Sequence, residues 1–195
     1  MAARKPVLRV VKSKAPVYRL RIQLLDVVPS VWRILLVPGS IKLSKLHAVL
    51  LVTMGWQGGH LHEFLFKQGR FGMPDPDYPD DELRDEGGFT LSQALGPFAS
   101  FTYLYDFGDG WEHMVTVEEI LPPDTLLKAP RCVGGENACP PEDVGGPWGY
   151  GDFLRIMNNP AHKDHQNMLQ WHGARFDPKA FNAKDITLSL SGIKV

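Results

Sequence analysis

Apolar and polar positions alternate from Val17 to Val27, with Tyr18, Leu20, Ile22 and Leu24 on one face, and this alternation predicts a strand. Pro29 interrupts the run before Val31 to Val37 resumes it. The short Val28-Pro29-Ser30 link makes the two strands antiparallel neighbours. The period then changes. Leu46, Val49, Leu50 and Thr53 fall on one helical face, with Ser44 as N-cap, Met54 as the last residue and Gly55 as the C′ stop. His62 to Lys67 returns to a strand pattern, and Leu91 to Leu95 reads as a short helical turn opened by Thr90.

Between these last two, residues 72–88 are rich in Pro, Asp and Gly and read as a surface loop. Its acids start with calcium-loop spacing at Asp75 and Asp77. Pro79 then occupies the next ligand position, and the required glycine and distal glutamate are missing, so that reading fails. Residues 100–107 and 111–121 form a hairpin around Asp109-Gly110. A two-residue type I′ turn there sets Phe107 opposite Glu112 and Asp106 opposite His113.

A long irregular stretch follows from Pro122 to Pro147, whose aromatic and cysteine content argues for order. Helices are expected from Gly149 to Met157, stopping before Asn159-Pro160, and from Lys163 to Trp171, opened by Asp164. Phe176 to Phe181 packs after them. The fold class is α+β, a single domain built on a mostly antiparallel sheet with helices packed on it. A basic extension at 1–16, the domain at 17–187 and a loose tail at 188–195 complete the division.

Charge narrows the partners more than it names them. The net charge of −1 gives no global attraction to nucleic acid or acidic membranes. Residues 4–14 carry Arg4, Lys5, Arg9, Lys12 and Lys14 with no acid, so nucleic acid is expected only through this arm, if the arm is more than a solvated tail. No apolar run approaches the roughly 18 residues of a membrane span and no signal-peptide pattern opens the chain, so a cytoplasmic setting is expected. Cys132 and Cys139 are then expected as reduced thiols, small buried hydrophobes rather than a redox pair.

The chemistry-bearing positions cluster around the hairpin. His60 and His62 share one face of the third strand if it begins that early, and Asp106 stands against His113. Glu142 and Asp143 sit in the long loop, and Trp56, Trp111, Trp148 and Tyr150 are candidates for the walls of a ligand site. Histidines with carboxylates are typical ligands and supports for zinc or iron, so His60, His62 and His113 are candidate metal ligands. Asp106, His113, Glu142 and Asp143 are candidates for acid–base work. The alternative is structural: Asp106 braces the turn, and the histidines sit at the start of a strand. The glycine run from Gly145 to Gly151 lacks a Gly-Lys-Ser/Thr element and has Glu142, Asp143 and Asp152 beside it, which excludes a phosphate-binding loop of that kind. No serine stands in a nucleophile elbow.

Several short motifs occur in a fixed order. They are Pro29-Ser-Val-Trp-Arg33, Leu46-His47, Gly55-Trp56, His60-Leu-His-Glu-Phe64, Tyr105-Asp-Phe-Gly-Asp-Gly-Trp-Glu-His113, Cys132, Cys139-Pro-Pro-Glu-Asp143, Gly145-Gly146 and Gly149-Tyr150. With Pro160, His165, Met168-Leu169, Trp171, Phe176-Asp177 and Phe181, they resemble the family named after the third open reading frame of an Ri plasmid, over residues 17–187. The resemblance implies an α+β domain with no established activity in a plasmid or mobile-element setting. The family's alternative resolvase label finds no recombinase nucleophile here. Two readings follow: a domain binding a metal or small polar ligand in a His/Asp/aromatic cleft, or a non-catalytic interaction module accessory to a mobile element. Weak nucleic-acid binding through the basic arm is a third.

Overall fold

Alternation along Val17–Leu24 (β1) buries Tyr18, Leu20, Ile22 and Leu24, and Trp32–Pro38 (β2) pairs with it antiparallel. The computed structural model describes residues 15–195, so the basic residues at 4–14 lie outside the described part. Helix α1, Leu43–Met54, buries Leu43, Leu46, Val49, Leu50, Thr53 and Met54 on one stripe. It starts one residue before Ser44, with Lys42 as N-cap, and Gly55 ends it in the left-handed region at φ 81. His62–Phe66 (β3) and Gly69–Gly72 (β4) form the next hairpin.

The segment expected as a plain loop at 72–88 departs from that reading. Leu83–Asp85 (β5) adds to β4 in parallel, and the single 3₁₀ turn Glu86–Gly88 then buries the Glu86 side chain. Leu91–Leu95 (α2) is a single short helix, and Thr90 with Gln93 completes a capping box at its start. Ser100–Tyr105 (β6) and Trp111–Leu121 (β7) form the central hairpin, with β7 also pairing β1.

The long irregular stretch contains a strand that the sequence pattern did not reveal: Arg131–Glu136 (β8), antiparallel to β2. Its Gly134-Gly135 pair erases the alternation, for a reason visible in the packing. A Cβ at Gly135 would lie 2.6 Å from the Phe181 ring and 2.7 Å from the Trp32 carbonyl oxygen. Helices Gly146–Met157 (α3), His165–His172 (α4) and Ala183–Leu190 (α5) finish the chain. The residues from 188, expected to be loose, begin as the last turn of α5, and Leu190 is fully buried.

The eight strands form one sheet in the order β5-β4-β3-β6-β7-β1-β2-β8, antiparallel except at the β4/β5 edge. Helix α1 and the aromatic side chains of β3, β6 and β7 enclose a core on one face. Among the described residues, no helix is long and apolar enough to cross a membrane.

Candidate functional site

The hairpin that carries the site turns differently from a two-residue loop. Tyr105 pairs Trp111 and Tyr103 pairs His113, so Asp106 to Gly110 are all loop and Asp106 does not face His113. Asp106 takes a left-handed conformation at φ 56, its carbonyl accepts from Gly110 N–H at 2.6 Å, and its Oδ1 accepts from Gly108 N–H at 2.9 Å and Asp109 N–H at 3.2 Å. The side chain therefore replaces the ladder bonds that a tight turn would have made. The structural reading of Asp106 holds for Oδ1 alone. Its Oδ2 is left to point at another residue, His60.

His60 precedes β3 rather than belonging to it, and its ring stands between two carboxylates. Nδ1 is 3.4 Å from Asp106 Oδ2, and Nε2 is 3.2 Å from Asp143 Oδ1. One ligand atom from each of the three residues lies within 4.8 Å of the others. Asp143 also has positive φ, at 60, and the loop carrying it is tied to the hairpin where Gly145 N–H donates to Asp109 Oδ2 at 3.2 Å. Beside them, Glu142 accepts from Tyr105 Oη at 2.6 Å, Gln57 N–H at 2.9 Å and Gly58 N–H at 3.2 Å. Burial raises the Tyr105 pKa, and its bond to Glu142 raises it further, so the phenol stays a donor. Gln57, Gly58, His60, Glu142, Asp143, Trp171 and His172 line an open cleft of about 430 Å³.

His62 and His113 take no part in this group. His62 stacks on His47 of α1 with ring centroids 3.5 Å apart, and its Nε2 meets Glu86 Oε2 at 2.8 Å. His47 Nδ1 lies 2.7 Å from Tyr103 Oη, and desolvation with the adjacent His62 lowers the His47 pKa to about 3. His113 is fully buried among Trp56, Tyr103 and the sheet. Its Nδ1 lies 3.1 Å from the Tyr103 carbonyl oxygen, which makes Nδ1 the protonated nitrogen and leaves Nε2 without a partner among the described residues. Burial lowers its pKa to about 4. Sealed in the core, the ring is not among the residues whose ligand atoms gather at His60.

The expected aromatic wall is also rearranged. Trp111 and Tyr150 are fully buried, and Trp56 is buried with its Nε1–H donating to the Pro140 carbonyl at 2.9 Å. Of the three, Trp56 holds the loop that carries Glu142. Trp148 is 92% exposed and lines a separate groove with Val28. The aromatic ring that borders the cleft is Trp171, which sequence reasoning missed along with His172. Their helical spacing within α4 gave no sign of which face meets the 57–60 and 141–143 loops. Cys132 and Cys139 are both free thiols, and burial lifts the Cys139 pKa to about 12.

This geometry can be set against known proteins. The model of the plasmid pRiA4b ORF-3-like proteins matches residues 16–185, nearly the whole described chain. The chain belongs to that family. The uncharacterized protein y4hQ of Sinorhizobium fredii is 40% identical over 181 residues, covering 92% of this chain and 93% of its own. Among solved structures, the protein of unknown function MM3350 from Methanosarcina mazei Go1 is similar with a TM-score of 0.79 and 32% identity. That match covers 89% of this chain and 98% of that one. Family membership agrees with the α+β class and with the order of motifs from Pro29 to Phe181.

Proposed function

We propose that this family member binds a divalent cation, zinc or iron, through His60 and Asp143, with Asp106 as the orienting carboxylate, and uses it to hold a small polar ligand in the adjoining cleft. The observation that carries this reading is the His60 ring set between two carboxylates, at 3.4 and 3.2 Å. An Nδ1–H directed at Asp106 fixes the tautomer in which Nε2 offers its lone pair toward Asp143, the arrangement by which proteins orient metal-bound imidazoles. Glu142 already accepts three hydrogen bonds, so its task is to hold the 57–58 loop against the cleft rather than to donate to an ion. Three protein donors or fewer leave open positions for water or a ligand.

The test is metal analysis of protein purified without added metal, followed by calorimetric titration with zinc. Stoichiometric binding that His60→Ala abolishes supports the site. For Asp106→Asn the expected loss is about 10- to 100-fold in affinity, the usual consequence of removing an orienting carboxylate. A metal-free protein that gives no zinc heat and whose melting temperature ignores chelator sinks the proposal.

A second reading, a non-catalytic interaction module accessory to a mobile element, is favoured by Trp148 at 92% and Val28 at 84% exposure on one groove of about 640 Å³. It predicts that Trp148→Ala leaves stability unchanged while abolishing capture of a partner, with chelator having no effect.

A further inference from the structure

Arg33 of β2 is 3% exposed, yet among the described residues no carboxylate lies within ion-pair distance of it. Its Nη1 donates to the Trp32 and Glu136 carbonyls at 2.8 Å each, and its Nη2 donates to the Asn137 carbonyl at 2.9 Å. These bonds fix the end of β8 but bring no negative charge, and Nε–H has no partner. A buried guanidinium in that state is unfavourable unless a counter-charge meets it.

Thr53, at the end of α1, is 2% exposed and its Oγ1 is likewise unpartnered. Both residues line one open cleft of about 540 Å³, whose other walls include Val52, Met54, Phe181 and Ile186. Two buried, unused polar groups on an otherwise largely apolar wall define a ligand with one anionic head and a short hydrocarbon body. Asp185 is the acid on this cleft, and it is exposed, so water and salt screen its repulsion while the charge of Arg33 stays unscreened.

We propose that this cleft binds a small monocarboxylate with a short apolar chain, its carboxylate meeting Arg33 Nε–H and Thr53 Oγ1–H. The site does not depend on the cation reading, because none of its residues lies in the His60 cleft. The Phe181 ring lies over the guanidinium, 4.9 Å from Cζ, and it is the group that binding must displace.

The test follows the Arg33 Nε–H signal of the full chain by ¹H–¹⁵N NMR during titration with sodium butyrate, with formate and inorganic phosphate as separate arms. Saturable movement of that signal, tighter for butyrate than for either other anion, is the expected result. Thr53→Val keeps the shape and is expected to weaken butyrate about tenfold, since it deletes a hydrogen bond to a charged group. Asp185→Asn is expected to tighten it about two- to fivefold. The proposal is overturned by an Arg33 signal that stays still at tens of millimolar butyrate, by phosphate or formate binding as well as butyrate, or by an affinity that Thr53→Val leaves unchanged.

Discussion

His113 shows how a residue chosen for chemistry is instead held by packing. Trp111, His113 and Val115 alternate into the core of β7, so the imidazole enters the sheet interior with its neighbours and stays neutral there. Its folded pKa is lowered from 6.5 to about 4, and that of His47 to about 3. The unfolded chain therefore takes up protons first. The stabilisation from keeping these rings neutral is complete above pH 6.5 and is lost as pH falls toward 4, by roughly 1.4 kcal/mol per pH unit for the fully buried His113 and by less for the half-buried His47. Urea denaturation at pH 7, 6 and 5 checks this. The slope is expected to flatten in His113→Leu, and an unchanged slope would show that the ring is not buried in its neutral form. Gly146 matters for a different reason. Its φ is 68, and a Cβ there would overlap the Asp109 carbonyl. Gly146→Ala is expected to push apart the hairpin loop and the segment carrying Asp143, costing about 1–3 kcal/mol and weakening zinc in the same variant.

Among the elements, those with a strong local signal were legible and those defined by their neighbours were not. Helix α1 carries its own stripe and stop, and α2 carries the Thr90 capping box, so Thr90→Ala is expected to cost about 1 kcal/mol by thermal melting. Strand β8 reads as loop because Gly134 and Gly135 are small where Ile34, Phe181 and the Trp32 backbone come close. Helix α5 is only eight residues long, with Asn182 as N-cap and Ala183, Ile186 and Leu190 at helical spacing, and its place is set by contact with β8 and α1. Leu190 is the anchor of that contact. Leu190→Ala is expected to destabilise the chain by about 2–5 kcal/mol, and a change below 0.5 kcal/mol would mean the C-terminal helix does not pack as described.

Across the whole molecule, the candidate site is a meeting of the 57–60 loop before β3, the β6/β7 hairpin loop, the 141–143 loop and helix α4. Loading with zinc is expected to raise the melting temperature of the wild-type chain and not that of His60→Ala, because a ligand that joins separate segments stabilises only the folded state. The sequence by itself determined the α+β class, the antiparallel pairing of β1 with β2, the C-terminal end of α1 and the extent of α2. Those features follow from local periodicity, caps and chain proximity, which neighbouring residues encode directly. The partner of each side chain was decided only by tertiary structure. A five-residue loop in place of a two-residue turn moved Asp106 from His113 to His60, and the return of the 141–143 loop supplied the second carboxylate. Register and loop return depend on how distant segments pack, and a single stretch of sequence does not record that.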